Sequence, residues 1–201
     1  GGMLSASLFV RRIEDLMRTL TALETVSWSG VPRWVARPQN IGEATSTGIE
    51  LEAKLRLSEF IADAPPVDLR ANASVFRSRV SGVPGPDNRL DSQPDFTANL
   101  GADWRVRRTP LMLGASVNFT PAFDTRLSET QTIAEGRKRV FDAYAQWTVS
   151  PALRLRLTAS DIAPREYVSS GALQTDASTR ESTRSVAQSY LAWRLRAEWK
   201  L

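Results

Sequence analysis

The chain has 201 residues, a formal net charge of +4, and neither cysteine nor histidine. Those absences exclude disulfide frameworks, thiolate and imidazole nucleophiles and ordinary zinc sites. No window approaches the roughly 20 consecutive apolar residues of a membrane-spanning helix, whereas a membrane β-barrel stays open because its apolar residues alternate instead of clustering.

The N-terminus shows no cleavable leader pattern and runs at once into a strand-like stretch, over about Leu4 to Met17, which reads as part of a longer or processed chain. A long polar connector follows. From Gly48 to Leu57, Ile49, Leu51, Ala53, Leu55 and Leu57 then alternate with Glu50, Glu52, Lys54 and Arg56, the period of an extended strand. Gly48 itself reads as a turn or bulge at the strand's start, as does Asn40-Ile41-Gly42 before it. The same alternation returns over Val67–Val75, Phe96–Trp104, Leu111–Phe119, Phe141–Val149, Leu153–Ser160 and Leu191–Leu201. That predicts an all-β, antiparallel up-and-down sheet of about eight strands, an even number as in single-chain outer-membrane barrels.

Alternation alone does not say which face meets water. A soluble sandwich or lipocalin-like barrel turns its apolar face inward, and an outer-membrane barrel turns it to lipid. Two features favour lipid. Short connectors near 58–66, 105–109 and 150–152 alternate with long polar ones near 18–45, 81–94, 120–138 and 163–187, so one rim carries tight turns and the other long loops. Trp104, Trp147 and Trp199 share the apolar parity near the short-turn rim, where an aromatic girdle belongs. On this reading Glu50, Glu52, Arg154, Arg156, Arg194 and Arg196 line the lumen, and the arginines are expected to pair with Glu50, Glu52, Asp68 or Glu198.

Candidate ligand residues lie in the third long loop. Arg137 and Arg139 of the stretch EGRKR, with Lys138 and the preceding Arg126, could clamp an anionic chelate; a solvated loop base or a lipid-headgroup contact is the simpler reading of that stretch. Asp124 and Glu129 lack the regular spacing of a cation loop. No residue pattern indicates catalysis, a metal site or a cofactor. Basic residues are not interleaved with aromatics, which argues against nucleic acid.

Several stretches in order carry a family resemblance. SASLFVRRIEDLM followed by PQNIGEATSTGIELEAKLRL, then LDSQPDFTANLGADWRV, SPALRLRLTASDIAPREY and YLAWRLRAEWKL, resemble successive barrel strands of TonB-dependent outer-membrane receptors. Ser160, Asp161 and Ile162 depart from the family's usual penultimate strand, and Leu201 stands where a terminal aromatic is usual. The resemblance implies a bacterial outer-membrane location and membership of a 22-stranded barrel, residues 1–201 forming its C-terminal part, with the plug domain and TonB-binding box outside this sequence. It also implies uptake of a scarce nutrient, such as a ferric siderophore, through loops and lumen, with outer-membrane lipid, the nutrient and TonB as partners. A complete small eight-stranded barrel of structural or adhesive type, and a barrel enzyme or soluble sandwich, are the alternatives. An isolated eight-strand sheet is expected either to close Leu191–Leu201 onto Ser5–Arg12 or to aggregate through open edges.

Overall fold

A computed structural model describes residues 2–200; Leu201, which continues the apolar parity of the last strand, lies outside them. The strands in chain order are β1 Met3–Ile13, β2 Met17–Glu24, β3 Arg33–Asn40, β4 Ala44–Arg56, β5 Val67–Val80, β6 Phe96–Arg105 and β7 Leu111–Thr120. They continue with β8 Phe123–Arg126, β9 Gln131–Glu135, β10 Lys138–Ser150, β11 Leu153–Ser160, β12 Glu166–Gln174, β13 Arg180–Gln188 and β14 Ala192–Trp199. The main sheet has the order β1-β4-β5-β6-β7-β10-β11-β14, every neighbour antiparallel. These are the eight strands of the sequence pattern, arranged as an up-and-down meander. β1 and β14 are opposite edges and do not pair, so the sheet is open and the predicted closure of one on the other is not found.

Directly opposed residues in an antiparallel pair point to the same face. The register keeps the apolar residues on one face through all seven pairings, and only beside the β10–β11 turn does a bulge between Thr148 and Ser150 set Ser150 opposite Leu153. Leu51 lies opposite Ala6 and Ala73, Leu100 opposite Ala71 and Val117, Ala143 opposite Ala115 and Ala159, and Leu157 opposite Ala145 and Leu195. A one-residue slip at any pairing would turn the remaining strands over. Glu50, Glu52, Arg154, Arg156, Arg194 and Arg196 all fall on the other face.

The tryptophans follow a staggered line across the sheet. Trp104 aligns through Leu113 with Ala145, two residues before Trp147, and Trp147 aligns through Leu155 with Ala197, two residues before Trp199. Each step crosses two strands, so the line through the indoles shifts one residue per strand. A rise of about 3.3 Å for every ~4.8 Å between strands corresponds to a strand tilt of about 35°, the geometry of a closed barrel wall. All three rings therefore stand at one height when the strands are so tilted.

The long connectors are not featureless. The first contains the β2–β3 hairpin, which takes Met17 away from the first strand, and the third and fourth supply β8, β9, β12 and β13, a second sheet in the order β13-β12-β9-β8. Their sequences hide this because polar residues occupy both faces, as in Arg180–Gln188, where every residue is exposed. Gly42, at φ 96°, makes the predicted turn into β4. Gly48 does not: it lies inside β4, directly opposite Phe9 and Phe76, and a Cβ there would come within 2.5 Å of the Phe9 ring. The strand stays extended because the missing side chain makes room for an aromatic neighbour.

A single-layer sheet has no core of its own. Burial concentrates where sheet and loops meet, with Ala44, Val80 and Val83 packed against Ile13, Leu16, Ile41 and Leu90. At the tip of the β12–β13 hairpin, the Asp176 carboxylate accepts hydrogen bonds from the Ser178 N–H (2.8 Å), the Ser178 hydroxyl (2.8 Å) and the Thr179 N–H (2.9 Å). The Ser178 N–H foremost, with the other donors, holds its pKa down at about 2. Because the folded value lies below the unperturbed 3.8, the carboxylate's contribution to the turn is complete above that range and disappears as pH falls through about 2. Amide shifts of Ser178 and Thr179 should therefore be constant from neutral pH to about pH 4 and move only below it. Movement centred near pH 4 would contradict the turn geometry.

Candidate functional site

The polar face of the sheet carries a chain of contacts across four strands. Arg70 on β5 donates to Asp103 on β6 at 2.7 Å, Tyr144 on β10 donates its hydroxyl to the other Asp103 oxygen at 2.5 Å, and the Arg156 guanidinium on β11 stacks 3.7 Å from the Tyr144 ring. To reach Asp103, Tyr144 must lie across β7. Gly114, directly opposite it, permits this: a Cβ there would sit 2.1 Å from the Tyr144 ring and 2.7 Å from Asp103. Arg70, Asp103, Tyr144 and Arg156, with Thr158 and Ser160, line a polar cavity of about 260 Å³.

Charge on this face is uneven. Around β4 to β6 each cation has an acid: Lys54 with Glu52 (2.8 Å), Arg56 and Arg105 with Asp68 (3.0 and 2.8 Å), and Arg70 with Asp103. On β11 and β14 the predicted pairing is largely absent. Only Arg196 reaches Glu198, at 3.7 Å; Arg154 lies directly opposite Glu198 without forming an ion pair, Arg156 and Arg194 form none among the described residues, and Arg156 lies directly opposite Arg196. Glu50 and Glu52 are too far along the sheet, at β4, to serve them. The result is a wall acidic and neutralised on one side and cationic on the other.

Above the sheet, the long connectors join into a cap. Arg18 of β2 has a side chain only 2% exposed. It donates to the backbone carbonyls of Leu127 (2.9 Å), Arg89 (3.0 Å) and Arg126 (3.4 Å), and pairs with Asp91. One guanidinium thus ties three connectors together, and Thr21 N–H to Gln131 Oε1 (2.9 Å) and Arg126 N–H to Asp87 O (2.7 Å) reinforce the junction. Beside it lies a second cavity of about 260 Å³, lined by Asp87, Asp124, Thr125, Arg126, Ser170 and Arg180. Thr125 there is fully buried and its hydroxyl has no partner.

Of the loop candidates from sequence, Arg126 and Asp124 line this cavity, and Glu129 lies in the turn between β8 and β9. Arg137 is exposed between β9 and β10, and Lys138 stands 4.0 Å from Glu135. Arg139 takes a different direction: it shares the apolar parity of Phe119 and Phe141 and rests 5.2 Å from the Phe141 ring. The structure therefore does not bring Arg137 and Arg139 together as a clamp. Arg18, Arg70, Asp103 and Tyr144 were not singled out from sequence, since only strand register places Tyr144 over Gly114 and only the loop fold buries Arg18.

A groove of about 780 Å³ lies on the apolar face, where Ala102, Ala115 and Ala143 stand side by side between Leu69, Leu100 and Phe141. Arg70, Ser116 and Asp142 border it, but the surface it presents is mainly apolar and fits hydrocarbon. No described residues form a cluster of acidic side chains able to hold a metal. No curated protein and no solved structure matches the chain. A family model described as TonB dependent receptor-like, beta-barrel matches residues 1–162.

Proposed function

Because the chain belongs to the TonB-dependent receptor-like β-barrel family, a family of outer-membrane receptors and transporters of small molecules, we propose that it forms barrel wall and outer loops of a receptor importing a scarce nutrient, such as a ferric siderophore. Import is noncatalytic on this reading, with TonB acting through a part of the receptor other than these strands. The observation that carries the proposal is the apolar parity shared by all eight strands of the main sheet, bounded by one row of tryptophans and opposed by a charged face. Such a sheet puts its apolar face to lipid and its charges to a watery lumen. The capped loops, with Arg126 and Arg180 at their cavity, would meet the nutrient first. The open edges at β1 and β14 favour a wall continuing into a larger barrel over a closed eight-stranded one.

Iron-starved cells expressing the receptor should take up radiolabelled iron from at least one member of a panel of citrate, catecholate and hydroxamate chelates. Arg126→Ala with Arg180→Ala should lower that uptake at least several-fold. Epitopes inserted at Ser128 or Thr175 should be labelled on intact cells, and one inserted at Pro151 only after permeabilisation. Receptor-independent uptake of every chelate would remove the siderophore assignment, and reversed labelling would remove the topology.

A further inference from the structure

We propose that Arg12, Arg77 and Arg139 form an outward-facing site for the phosphate groups of lipid headgroups in the leaflet nearest the long loops. The inference rests on the apolar face meeting lipid. Arg139 aligns through Phe119 and Ala98 with Ala73, four residues short of Arg77 and three strands away. Arg77 aligns through Thr47 with Val10, two residues short of Arg12 and two strands away. The line through these arginines thus shifts about one residue per strand, in the same sense as the tryptophan line. On tilted strands the two lines are parallel and horizontal.

Their separation can be read on β10, where Arg139 and Trp147 are eight residues apart. That is about 26 Å along the strand and roughly 22 Å in height at a ~35° tilt, close to the ~25 Å apolar band of an outer-membrane barrel. Arginine and tryptophan rows therefore mark opposite borders of the hydrocarbon. Arg79, two residues beyond Arg77, extends the cationic border toward water.

The chemistry of the row is one-sided. Arg12, Arg77, Arg79 and Arg139 have no carboxylate partner among the described residues, unlike Arg56, Arg70 and Arg105 on the opposite face. The Arg139 guanidinium is held against Phe141, and its Nε is buried without a hydrogen-bond acceptor. Every position is arginine, the side chain whose planar fork binds phosphate oxygens through two donors and whose weaker hydration suits a headgroup boundary. A solute in the lumen cannot reach these residues. The occupant with matching depth and charge is a phosphorylated headgroup, which leaves its acyl chains to run down the alanine-lined groove beneath Phe141.

The receptor that contains this chain, in vesicles of phosphatidylcholine doped with spin-labelled phosphatidic acid or spin-labelled phosphatidylcholine, tests this. The motionally restricted boundary signal should favour phosphatidic acid several-fold. Arg77→Gln with Arg139→Gln should remove that preference while keeping the phosphatidylcholine boundary signal, which shows that the variant is inserted; Arg154→Gln with Arg194→Gln should keep it. Added inorganic phosphate should not compete. Absence of the preference, its persistence in the Arg77/Arg139 variant, or its loss to free phosphate would overturn the proposal. Absence of any boundary signal, even for phosphatidylcholine, would overturn the membrane reading itself.

Discussion

Replacing Arg18 with methionine should unfasten the loop cap while leaving the main sheet paired. The substitution keeps much of the apolar stem but removes a buried cation whose donors serve Arg89 O, Arg126 O, Leu127 O and Asp91. Breaking one side of a buried charged network costs about 3–5 kcal/mol, and the half-exposed Asp91 places this case at the lower end. Three connectors depend on that one group, so the loss appears as joint loosening. The amides of Thr21 and Arg126, whose bonds cross connectors, should lose protection from hydrogen exchange by about 100-fold, corresponding to roughly 3 kcal/mol. Amides in β5 and β6 should hold theirs. Unchanged protection at Thr21 and Arg126 would show that Arg18 is incidental to the cap.

The second large effect concerns facing. Leu51 sits in the apolar row between Ala6 and Ala73, and its neighbour Glu50 points the other way. Leu51→Arg should therefore impair insertion into liposomes by about 2–4 kcal/mol, the depth-dependent range for a charge on the lipid face. Glu50→Gln should change it little, because the lumen side stays hydrated. Equal tolerance of both substitutions would contradict the outward assignment of Leu51.

The eight wall strands were legible because one face of each is solvated by lipid and the other by water, which forces strict alternation. The strands of the loops were not, because hairpins standing in water place polar residues on both faces, as β13 does. Gly48 is hidden for a related reason: a glycine before a regular run looks like a turn until register sets Phe9 and Phe76 beside it. That Glu50, Glu52 and the arginines of β11 and β14 share one face, and Trp104, Trp147 and Trp199 the other, followed from parity alone. Pairing did not. Whether Arg156 meets an acid or a tyrosine depends on which strands adjoin, and the cross-strand path from Arg70 to Arg156 exists only because Gly114 leaves β7 bare. Arg139 depends on register in the same way. Read locally it was the end of a basic loop, and only its alignment with Phe119 turns it outward.

The central claim is that the alternating faces of one sheet divide lipid from water. Spin labels placed one at a time from Val140 to Trp147 along β10 test it most directly, by comparing accessibility to oxygen, which partitions into hydrocarbon, with accessibility to a water-soluble nickel chelate. Labels at 141, 143, 145 and 147 should be reached by oxygen, and those at 140, 142, 144 and 146 by the chelate, with period two throughout. The same alternation in opposite phase, or chelate access at every position, would contradict the account.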